Sequence, residues 1–448
     1  MFSLIKRASL HTSFKTSIRR HFCFSTNSTV LKKTAVYSFG DGSNGALGDH
    51  SIIGVDAYEA TRIPRLPDDV SSIAAGHYHS LAVTRDGEVW AWGRNDEGQL
   101  GRPVSSPRDT WNQPERVKGL DQVRVKAASA SGVISAAIGD DGSLWVWGKS
   151  KRGQLGLAEG MMDAMTPSKV ELLAGTEIVK VSFGWGHALA QTKDGRVYGW
   201  GYSAGGRLGD MGKALETSSP PPLVNNSPAT SHSRSSMLDE AEKIVSEQME
   251  KEKNMPIIWE PSLVQELQHL KFLDVACGFD HSLMLCCDGK IYGCGDNTYN
   301  QLGRVTEGSK IFPVEMSFRP LSISAGLGHC LAVCEVPSDE TTGEIGIGVV
   351  SWGWNGCSQL GRRGPDGLPG LVEGLVGERP VSVSGGRVHS IVLTSKKELW
   401  AWGSGRNGRL GLGSSADEPE PTLVECLEGF EVLQAVAGFD HNLVLVAE

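Results

Sequence analysis

The stretch Trp92-Gly93-Arg94-Asn95-Asp96-Glu97-Gly98-Gln99-Leu100-Gly101 decides the fold of this 448-residue chain, because a phrase of the same kind returns six more times. Each copy starts at a glycine, usually after an aromatic residue, and runs through a loop that closes on Leu-Gly. The leading glycines are Gly40, Gly93, Gly148, Gly201, Gly295, Gly353 and Gly403, at steps of 53, 55, 53, 94, 58 and 50 residues. A unit of about 50 residues with one long insertion predicts a solenoid or a propeller.

Each unit reads as short strands. In one copy, residues 70–74 and 80–84 are apolar, and residues 88–92 alternate polar with aromatic side chains, a pattern typical of a hairpin with an upstream partner strand. An Asp-Gly pair joins the last two segments here and in other units, at Asp86-Gly87, Asp141-Gly142, Asp194-Gly195 and Asp288-Gly289. Such pairs favour tight hairpin turns, so we interpret these aspartates as turn residues.

The two ends of the repeat array complement each other. The last unit stops near Val446 without its final strand, and the first unit begins with such a strand, residues 36–40, which has no hairpin partner before it. Joining them completes a seventh blade and protects sheet edges that an open array would expose. The sequence therefore predicts an all-β fold, a seven-bladed β-propeller over residues 34–448.

Residues 1–33 have the composition of an organelle-targeting sequence. They hold no Asp or Glu and seven basic residues among many Ser and Thr, which is typical of a mitochondrial transit peptide. Arg20 lies at the spacing of a processing site before Cys23. The sequence contains no run of about 18 apolar residues, so we expect no transmembrane helix. We expect a protein of the mitochondrial matrix.

The predicted mature chain is acidic. From residue 34 onward, 36 Lys and Arg stand against 52 Asp and Glu, a net charge of −16. Because affinity for a phosphate backbone comes mostly from clustered Lys and Arg, nonspecific nucleic-acid binding is disfavoured. Any contact with RNA is expected to be indirect, through protein partners.

Two segments break the repeat. Residues 210–262 form a Pro- and Ser-rich insertion that we expect to be disordered, with a short amphipathic helix in which Leu238, Val245 and Met249 share one face. That face either packs on the propeller rim or docks a partner. Residues 335–348 replace the usual turn by an acidic segment with Asp339, Glu340 and Glu344, for which we predict an extended hairpin.

Several repeated polar residues resemble catalytic or ligand-binding motifs, but their pattern fits structural roles. Six histidines share one repeat position, which predicts a hydrogen bond that fixes a strand end near the hub: His79, His187, His281, His329, His389 and His441. The nine cysteines match no zinc spacing and are interpreted as free thiols. Two Gly-x-Gly-x-x-Gly matches, at Gly40 and Gly403, lie in propeller loops and do not open a helix. We predict no catalytic, cofactor or metal site.

The phrases Gly76-His77-Tyr78-His79-Ser80, Gly184-Trp185-Gly186-His187 and Trp92 to Gly101 resemble the regulator of chromosome condensation repeat. The resemblance covers the chain after the leader and implies a seven-bladed propeller. Its functions differ by branch. One branch exchanges nucleotide on the nuclear GTPase Ran and binds chromatin, which the leader and the acidic chain disfavour.

A second branch, the plant ultraviolet-B receptor, uses clustered tryptophans in Gly-Trp-x-His phrases. Here Trp185 is the tryptophan at that position, and we expect the equivalent positions of the other units to hold different residues: Tyr78, Val133, Phe279, Leu327, Val388 and Phe439. A third, organellar branch is associated with RNA processing, ribosome assembly and respiratory complex biogenesis. The loop Tyr202-Ser203-Ala204 to Arg207 looks similar to its plant members.

Three hypotheses follow. The first is a non-catalytic mitochondrial scaffold that binds proteins of the RNA-processing machinery, assisting transcript splicing and thereby complex I biogenesis. The second is a guanine-nucleotide exchange factor for a mitochondrial small GTPase, with the acidic segment at residues 335–348 as a wedge. The third is a ligand or light sensor. Candidate interaction residues are Trp185, Asp339, Glu340, Glu344, Leu238, Val245 and Met249.

Overall fold

The computed structural model describes residues 32–48, 54–103, 108–209, 255–304, 310–337 and 345–448. Residues from Lys33 to Glu448 form one compact unit. Seven four-stranded antiparallel sheets are arranged as the blades of a propeller, which confirms the predicted fold.

The strands follow one order in every blade, from the innermost to the outermost. Blade 1 comprises β3 (Val70–Ala75), β4 (His79–Thr84), β5 (Val89–Gly93) and β6 (Glu115–Arg116). Blade 2 comprises β7 (Val125–Ala130), β8 (Ile134–Gly139), β9 (Leu144–Lys149) and β10 (Asp163–Lys169). Blade 3 comprises β11 (Ile178–Phe183), β12 (His187–Thr192), β13 (Val197–Tyr202) and β14 (Ile257–Leu263).

Blade 4 comprises β15 (Phe272–Cys277), β16 (His281–Cys286), β17 (Ile291–Gly295) and β18 (Phe312–Pro313). Blade 5 comprises β19 (Arg319–Ala325), β20 (His329–Pro337), β21 (Ile345–Gly353) and β22 (Gly370–Leu371). Blade 6 comprises β23 (Pro380–Gly385), β24 (His389–Thr394), β25 (Leu399–Gly403) and β26 (Glu418–Leu423). Short 3₁₀ turns lie at Arg108–Thr110, Glu171–Leu173, Ala204–Gly206, Gln265–Leu267, Arg406–Gly408 and Glu425–Leu427.

Blade 7 closes the ring as predicted. It combines β27 (Glu431–Ala437) and β28 (His441–Ala447) with β1 (Thr34–Gly40) and β2 (Ala57–Arg62) from the other end of the chain. β1 pairs with β28 over its whole length, from Thr34 opposite Ala447 to Gly40 opposite His441.

The second strand of each blade is buried on both faces, and apolar side chains fill the spaces between blades. The tryptophan before the leading glycine is fully buried in five blades, as Trp92, Trp147, Trp200, Trp352 and Trp402. These strand tryptophans therefore pack in the interior of the propeller.

The insertion in blade 3, between β13 and β14, is shorter than predicted at its C-terminal end. Residues 257–263 are strand β14, which pairs with β13, so the boundary at residue 262 is wrong. β14 contains Pro261, which an outermost strand tolerates because one of its edges is unpaired. Residues 210–254, with Leu238, Val245 and Met249, lie outside the described residues, as do residues 1–31 of the leader.

The predicted long hairpin in blade 5 is present. β20 and β21 remain paired out to Pro337 opposite Ile345. Asp339, Glu340 and Glu344 lie outside the described residues.

Candidate functional site: the hub face

Two sets of loops meet at one end of the propeller, which we call the hub face. The Gly-x-x-His loops join the first and second strands, and the Trp-Gly loops follow the third strand. The two sets touch, since the Arg94 N–H donates to the Tyr78 carbonyl at 2.9 Å. A Cβ on Gly93, whose φ is +106°, would lie 2.6 Å from that carbonyl oxygen, so glycine is required there.

The repeated histidines link each blade to the next. In every case Nε2 lies within hydrogen-bond distance of the residue that follows the equivalent histidine position in the neighbouring blade. The pairs are His79–Ser135 (2.7 Å), His187–Ser282 (2.9 Å), His281–Cys330 (3.2 Å), His329–Ser390 (3.0 Å), His389–Asn442 (2.9 Å) and His441–Ser80 (2.9 Å). The predicted structural role is confirmed, and the bond runs between blades.

The partners of these histidines fix the tautomer. Ser135 Oγ donates to the Gln99 carbonyl at 2.7 Å, and Ser390 Oγ donates to the Gln359 carbonyl at 2.8 Å. A hydroxyl that has given its proton to a carbonyl can only accept from the ring, so each imidazole carries its proton on Nε2. The buried tryptophan donates to the same carbonyl, as Trp147 Nε1 does to Gln99 at 2.9 Å. The loop carbonyl before Leu-Gly therefore receives two donors.

Burial keeps these imidazoles neutral. It lowers the pKa of His79 and His329 to about 3 and of His281, His389 and His441 to about 4, and it lowers that of His187 well below its ordinary value. The ring packs over the glycine three residues earlier, where a Cβ on Gly184 would lie 2.2 Å from His187 Cε1. A fully buried base with no access to solvent is suited to a structural role.

One link of the ring is apolar at both ends. Blade 2 has Ile134 in place of the histidine, and blade 3 has Ala188 in place of the serine. Both side chains are fully buried in one cluster with Trp200. Replacing both partners of a buried hydrogen bond by apolar groups leaves no polar atom unsatisfied, which explains why the two changes occur together.

This pair gives a double-mutant test. The test is made in a Ser131→Gly background, because the other blades have glycine under the imidazole and the Ser131 side chain would collide with the ring. In that background we expect Ile134→His alone to lower the free energy of unfolding by about 1–3 kcal/mol, because its Nε2–H would face Ala188 with no acceptor. Adding Ala188→Ser supplies the acceptor and should recover most of that loss. Urea denaturation of the two single variants and the double variant measures the coupling. Additive effects would contradict a pairwise link at this position.

Aromatic side chains stack over the centre of the hub face. Ring centroids lie 4.8 Å apart for Trp185 and Phe279, 5.9 Å for Trp185 and His77, and 4.5 Å for His77 and Phe439. The rings are partly exposed. Trp185 is therefore part of a cluster assembled from four blades.

The predicted alignment of the Trp185 slot was partly wrong. Counting from the structurally equivalent strand starts, the slot holds His77, Gly132 and Arg387, where the sequence alignment had Tyr78, Val133 and Val388. Phe279, Leu327 and Phe439 were placed correctly. The Gly-x-x-His loops are equal in length, so counting back two residues from each histidine, or from Ile134 in blade 2, places all of these residues correctly.

Arginines cover these rings. The guanidinium carbons lie 5.2 Å from the Tyr78 centroid for Arg94, 5.2 Å from Trp185 for Arg152, 4.6 Å from Tyr202 for Arg207 and 5.1 Å from Phe439 for Arg387. These distances are those of cation–π contacts. The sequence reasoning missed these arginines, because the contacts of Arg152 and Arg387 cross to the following blade and the repeat period marks none of the four contacts.

Carboxylates pair with most of these arginines. Arg94 contacts Asp96 at 2.8 Å, Arg207 contacts Asp280 at 3.1 Å, and Arg387 contacts Asp440 at 2.8 Å. Within the described residues, Arg152 has no carboxylate within 4 Å, and its Nε is buried without a hydrogen-bond partner. Arg152 and Trp185 therefore combine an unpaired cation with a partly exposed indole.

Burial also acts on the ion pair beside them. It raises the pKa of Asp280 and lowers that of Arg207, and the attraction between the two opposes both shifts. The mutual contact favours the charged form of both groups and holds the Arg207 guanidinium beside Tyr202.

A central channel of about 480 Å³ runs beneath the aromatic cluster. Small side chains of the innermost strands line it together with Lys180, which forms an ion pair with Asp274. Among the described residues, no group of three His, Cys, Asp or Glu is arranged to hold a metal ion. Burial raises the pKa of the Cys277 and Cys294 thiols to about 12, so neither is a reactive thiolate.

Residues 35–444 match the RCC1-like domain. The chain belongs to the RCC1-like domain family. Ultraviolet-B receptor UVR8 of Arabidopsis thaliana is 28% identical over 406 residues, which cover 89% of this chain and 79% of the receptor. Regulator of chromosome condensation of Homo sapiens is 27% identical over 427 residues, which cover 92% of this chain and 90% of that protein.

A solved structure agrees with the fold of this RCC1-like chain. Prp20p of Saccharomyces cerevisiae, described with its binding to Gsp1p and histones, superposes with a TM-score of 0.72 at 21% identity, covering 93% of this chain and 92% of that one. No helix among the described residues is long and apolar enough to cross a membrane. Of the predicted interaction residues, the structure places Trp185 on the hub face of this RCC1-like propeller.

Proposed function

We propose that this protein is a non-catalytic, protein-binding regulator of the mitochondrial matrix that assists organelle RNA processing. In this proposal it binds proteins of the transcript-splicing machinery and thereby supports respiratory complex I biogenesis. The observation that carries the binding role is the aromatic and arginine cluster of the hub face. The mitochondrial address and the RNA process rest on the leader composition and on the organellar resemblance.

The composition of the cluster supports a protein partner. Trp, Tyr and Arg dominate the few residues that supply most binding energy in protein interfaces. On the hub face these types lie side by side, with Trp185 and Arg152 partly exposed. Because the chain from residue 34 carries a net charge of −16, an exposed unpaired arginine is a local exception that favours a carboxylate from the partner.

The test compares hub-face variants in isolated mitochondria. We expect the tagged full chain to retain RNA-processing proteins after ribonuclease treatment, because the contact is between proteins. The double variant Trp185→Ala, Arg152→Ala should lower their recovery at least tenfold, since loss of a hot spot costs about 2 kcal/mol or more. Val376→Ala, at a side chain that is 97% exposed, is the matched control and should retain them.

Two results would contradict this function. One is a normal set of spliced organelle transcripts after loss of the protein. The other is equal recovery of the same partners by the hub-face variant and by the Val376→Ala control.

A nucleotide-exchange role is the second candidate. Two observations favour it: the similarity to Regulator of chromosome condensation across most of both chains, and the long hairpin in blade 5. An exchange factor inserts a surface into the nucleotide site of a GTPase and needs no catalytic motif of its own. Release of a fluorescent nucleotide from a purified mitochondrial GTPase, stimulated by the intact chain and abolished by deleting residues 337–345, would identify this role.

A further inference from the structure

The hairpin of blade 5 extends beyond the body of its sheet. In blade 1 the second and third strands end at the pair Val83 and Val89, which corresponds to Val333 and Val349 in blade 5. β20 and β21 continue for four more pairs: Cys334–Gly348, Glu335–Ile347, Val336–Gly346 and Pro337–Ile345. We call residues 334–337 and 345–348 the arm. It lies at the end of the propeller opposite the hub face, where the other blades have their tight turns.

The outer edge of the arm is unpaired within the described residues. β22 pairs only with Val350 and Ser351. On that side the Val349 carbonyl accepts from the Val372 N–H at 2.8 Å, and the Gly353 N–H donates to the Asp366 carbonyl at 2.8 Å. Because backbone groups alternate sides along an antiparallel strand, the N–H and C=O of Ile345 and Ile347 point to the same outer side.

The other outermost strands carry residues that block pairing. β26 reads Glu-Pro-Glu-Pro-Thr-Leu, β14 contains Glu260 and Pro261, and β10 contains Asp163 and Pro167. Charges and prolines are the usual protection of exposed sheet edges. The arm edge reads Ile-Gly-Ile-Gly over residues 345–348 and has neither, and Ile345 is 70% exposed.

We propose that the outer edge of β21, residues 345–349, takes up an extended strand of a partner protein by β-strand addition. Two consecutive outward residues offer two donors and two acceptors, and the glycines between them add no side chain that would crowd an approaching backbone. The proposal is independent of the hub-face function, because the arm lies at the other end of the propeller.

The charge of the residues that join β20 to β21 indicates which kind of strand would bind at the edge of β21. The residues joining β20 to β21 include Asp339, Glu340 and Glu344 and no Lys or Arg, so the strand expected is one that carries basic residues beside a short apolar alternation. The chain's own residues 210–254 are a poor occupant. They carry eight Asp and Glu against five Lys and Arg, so their net charge has the same sign as that of the residues joining β20 to β21.

The test uses a displayed library of random 12-residue peptides selected on the full chain. Enriched peptides should alternate apolar and polar residues, carry Lys or Arg, and bind more weakly as salt increases. We expect hydrogen exchange at the amides of Ile345 and Ile347 to slow at least tenfold when such a peptide is bound.

Two variants separate strand addition from side-chain contact. Ile347→Pro removes an outward N–H that β20 does not use and should weaken peptide binding at least tenfold while the thermal unfolding transition is retained. Ile347→Thr keeps the backbone donor and the β propensity, and should bind within about twofold of the parent chain.

Three outcomes would overturn the proposal. The first is equal binding by Ile347→Pro and Ile347→Thr. The second is selected peptides that leave the exchange of Ile345 and Ile347 unchanged. The third is a concentration-dependent dimer of the full chain that Ile347→Pro abolishes, which would assign the edge to a second copy.

Discussion

Lowering the pH from 7.5 to 5.5 is expected to reduce the free energy of unfolding by an amount on the order of 5–10 kcal/mol. Seven histidines have a depressed pKa in the folded chain, namely the six buried histidines of the ring and the partly exposed His77: His77, His79, His187, His281, His329, His389 and His441. At pH 7.5 they are almost entirely neutral in both states and contribute little to the pH dependence. Below 6.5 the unfolded chain binds protons that the folded chain refuses, so stability falls.

Seven histidines set the pH window, and they outweigh Asp280, whose raised pKa in the folded chain acts in the opposite direction. The loss continues as the pH falls from 6.5 and levels off only near 3 to 4, where the folded histidines themselves titrate. The aspartates with a lowered pKa, such as Asp194 and Asp288, protonate in the unfolded chain only near 3.8. Urea denaturation at half-unit steps between pH 7.5 and 5 measures the slope of the unfolding free energy.

His389→Gln is the matched control for the proton count. The amide can still donate to Asn442 Oδ1 but does not titrate, so the slope below pH 6 should fall by the equivalent of one proton, about 1.4 kcal/mol per pH unit. A parent chain whose unfolding takes up one proton or fewer in this range would contradict the neutral histidine ring.

The fold could be predicted because each blade is specified locally. The Asp-Gly turns, the alternation before Trp92 and the complementary chain ends are all readable along the sequence. The role of the histidines was predictable for the same reason, since six copies at one position cannot each perform chemistry. Their acceptors were not, because the hydrogen bond from His79 ends 56 residues away in the next blade.

The candidate site was less predictable because it is built from residues that differ from one repeat to the next. Arg152 contacts Trp185 across a blade boundary, and Arg207 covers Tyr202 from the far side of one loop. No period marks such contacts. His77 shows the same limit, since its ring lies over Gly132 of the next blade and joins the stack with Trp185. The ring of blades determines which of these side chains meet.

Removal of β1 is expected to abolish the folded propeller. Deleting residues up to Gly40 would leave β28 with seven unpaired residues along an edge whose side chains are almost all buried. An exposed, apolar edge of that length is a site of aggregation. We expect a chain that starts at Asp41 to form large aggregates in size-exclusion chromatography, and a chain that starts at Lys32, which keeps β1, to elute as a single species.

A point variant measures the same closure without deleting the strand. Phe39 is fully buried between blades 6 and 7, in one cluster with Leu410 and Val444. Phe39→Ala should lower the free energy of unfolding by about 3–5 kcal/mol, the cost of removing a buried phenyl ring. Thr61→Ala, at an exposed position of β2 in the same sheet, should change it by less than about 0.5 kcal/mol. Equal unfolding midpoints for the two variants would mean that the pairing of β1 with β28 does not hold the ring closed.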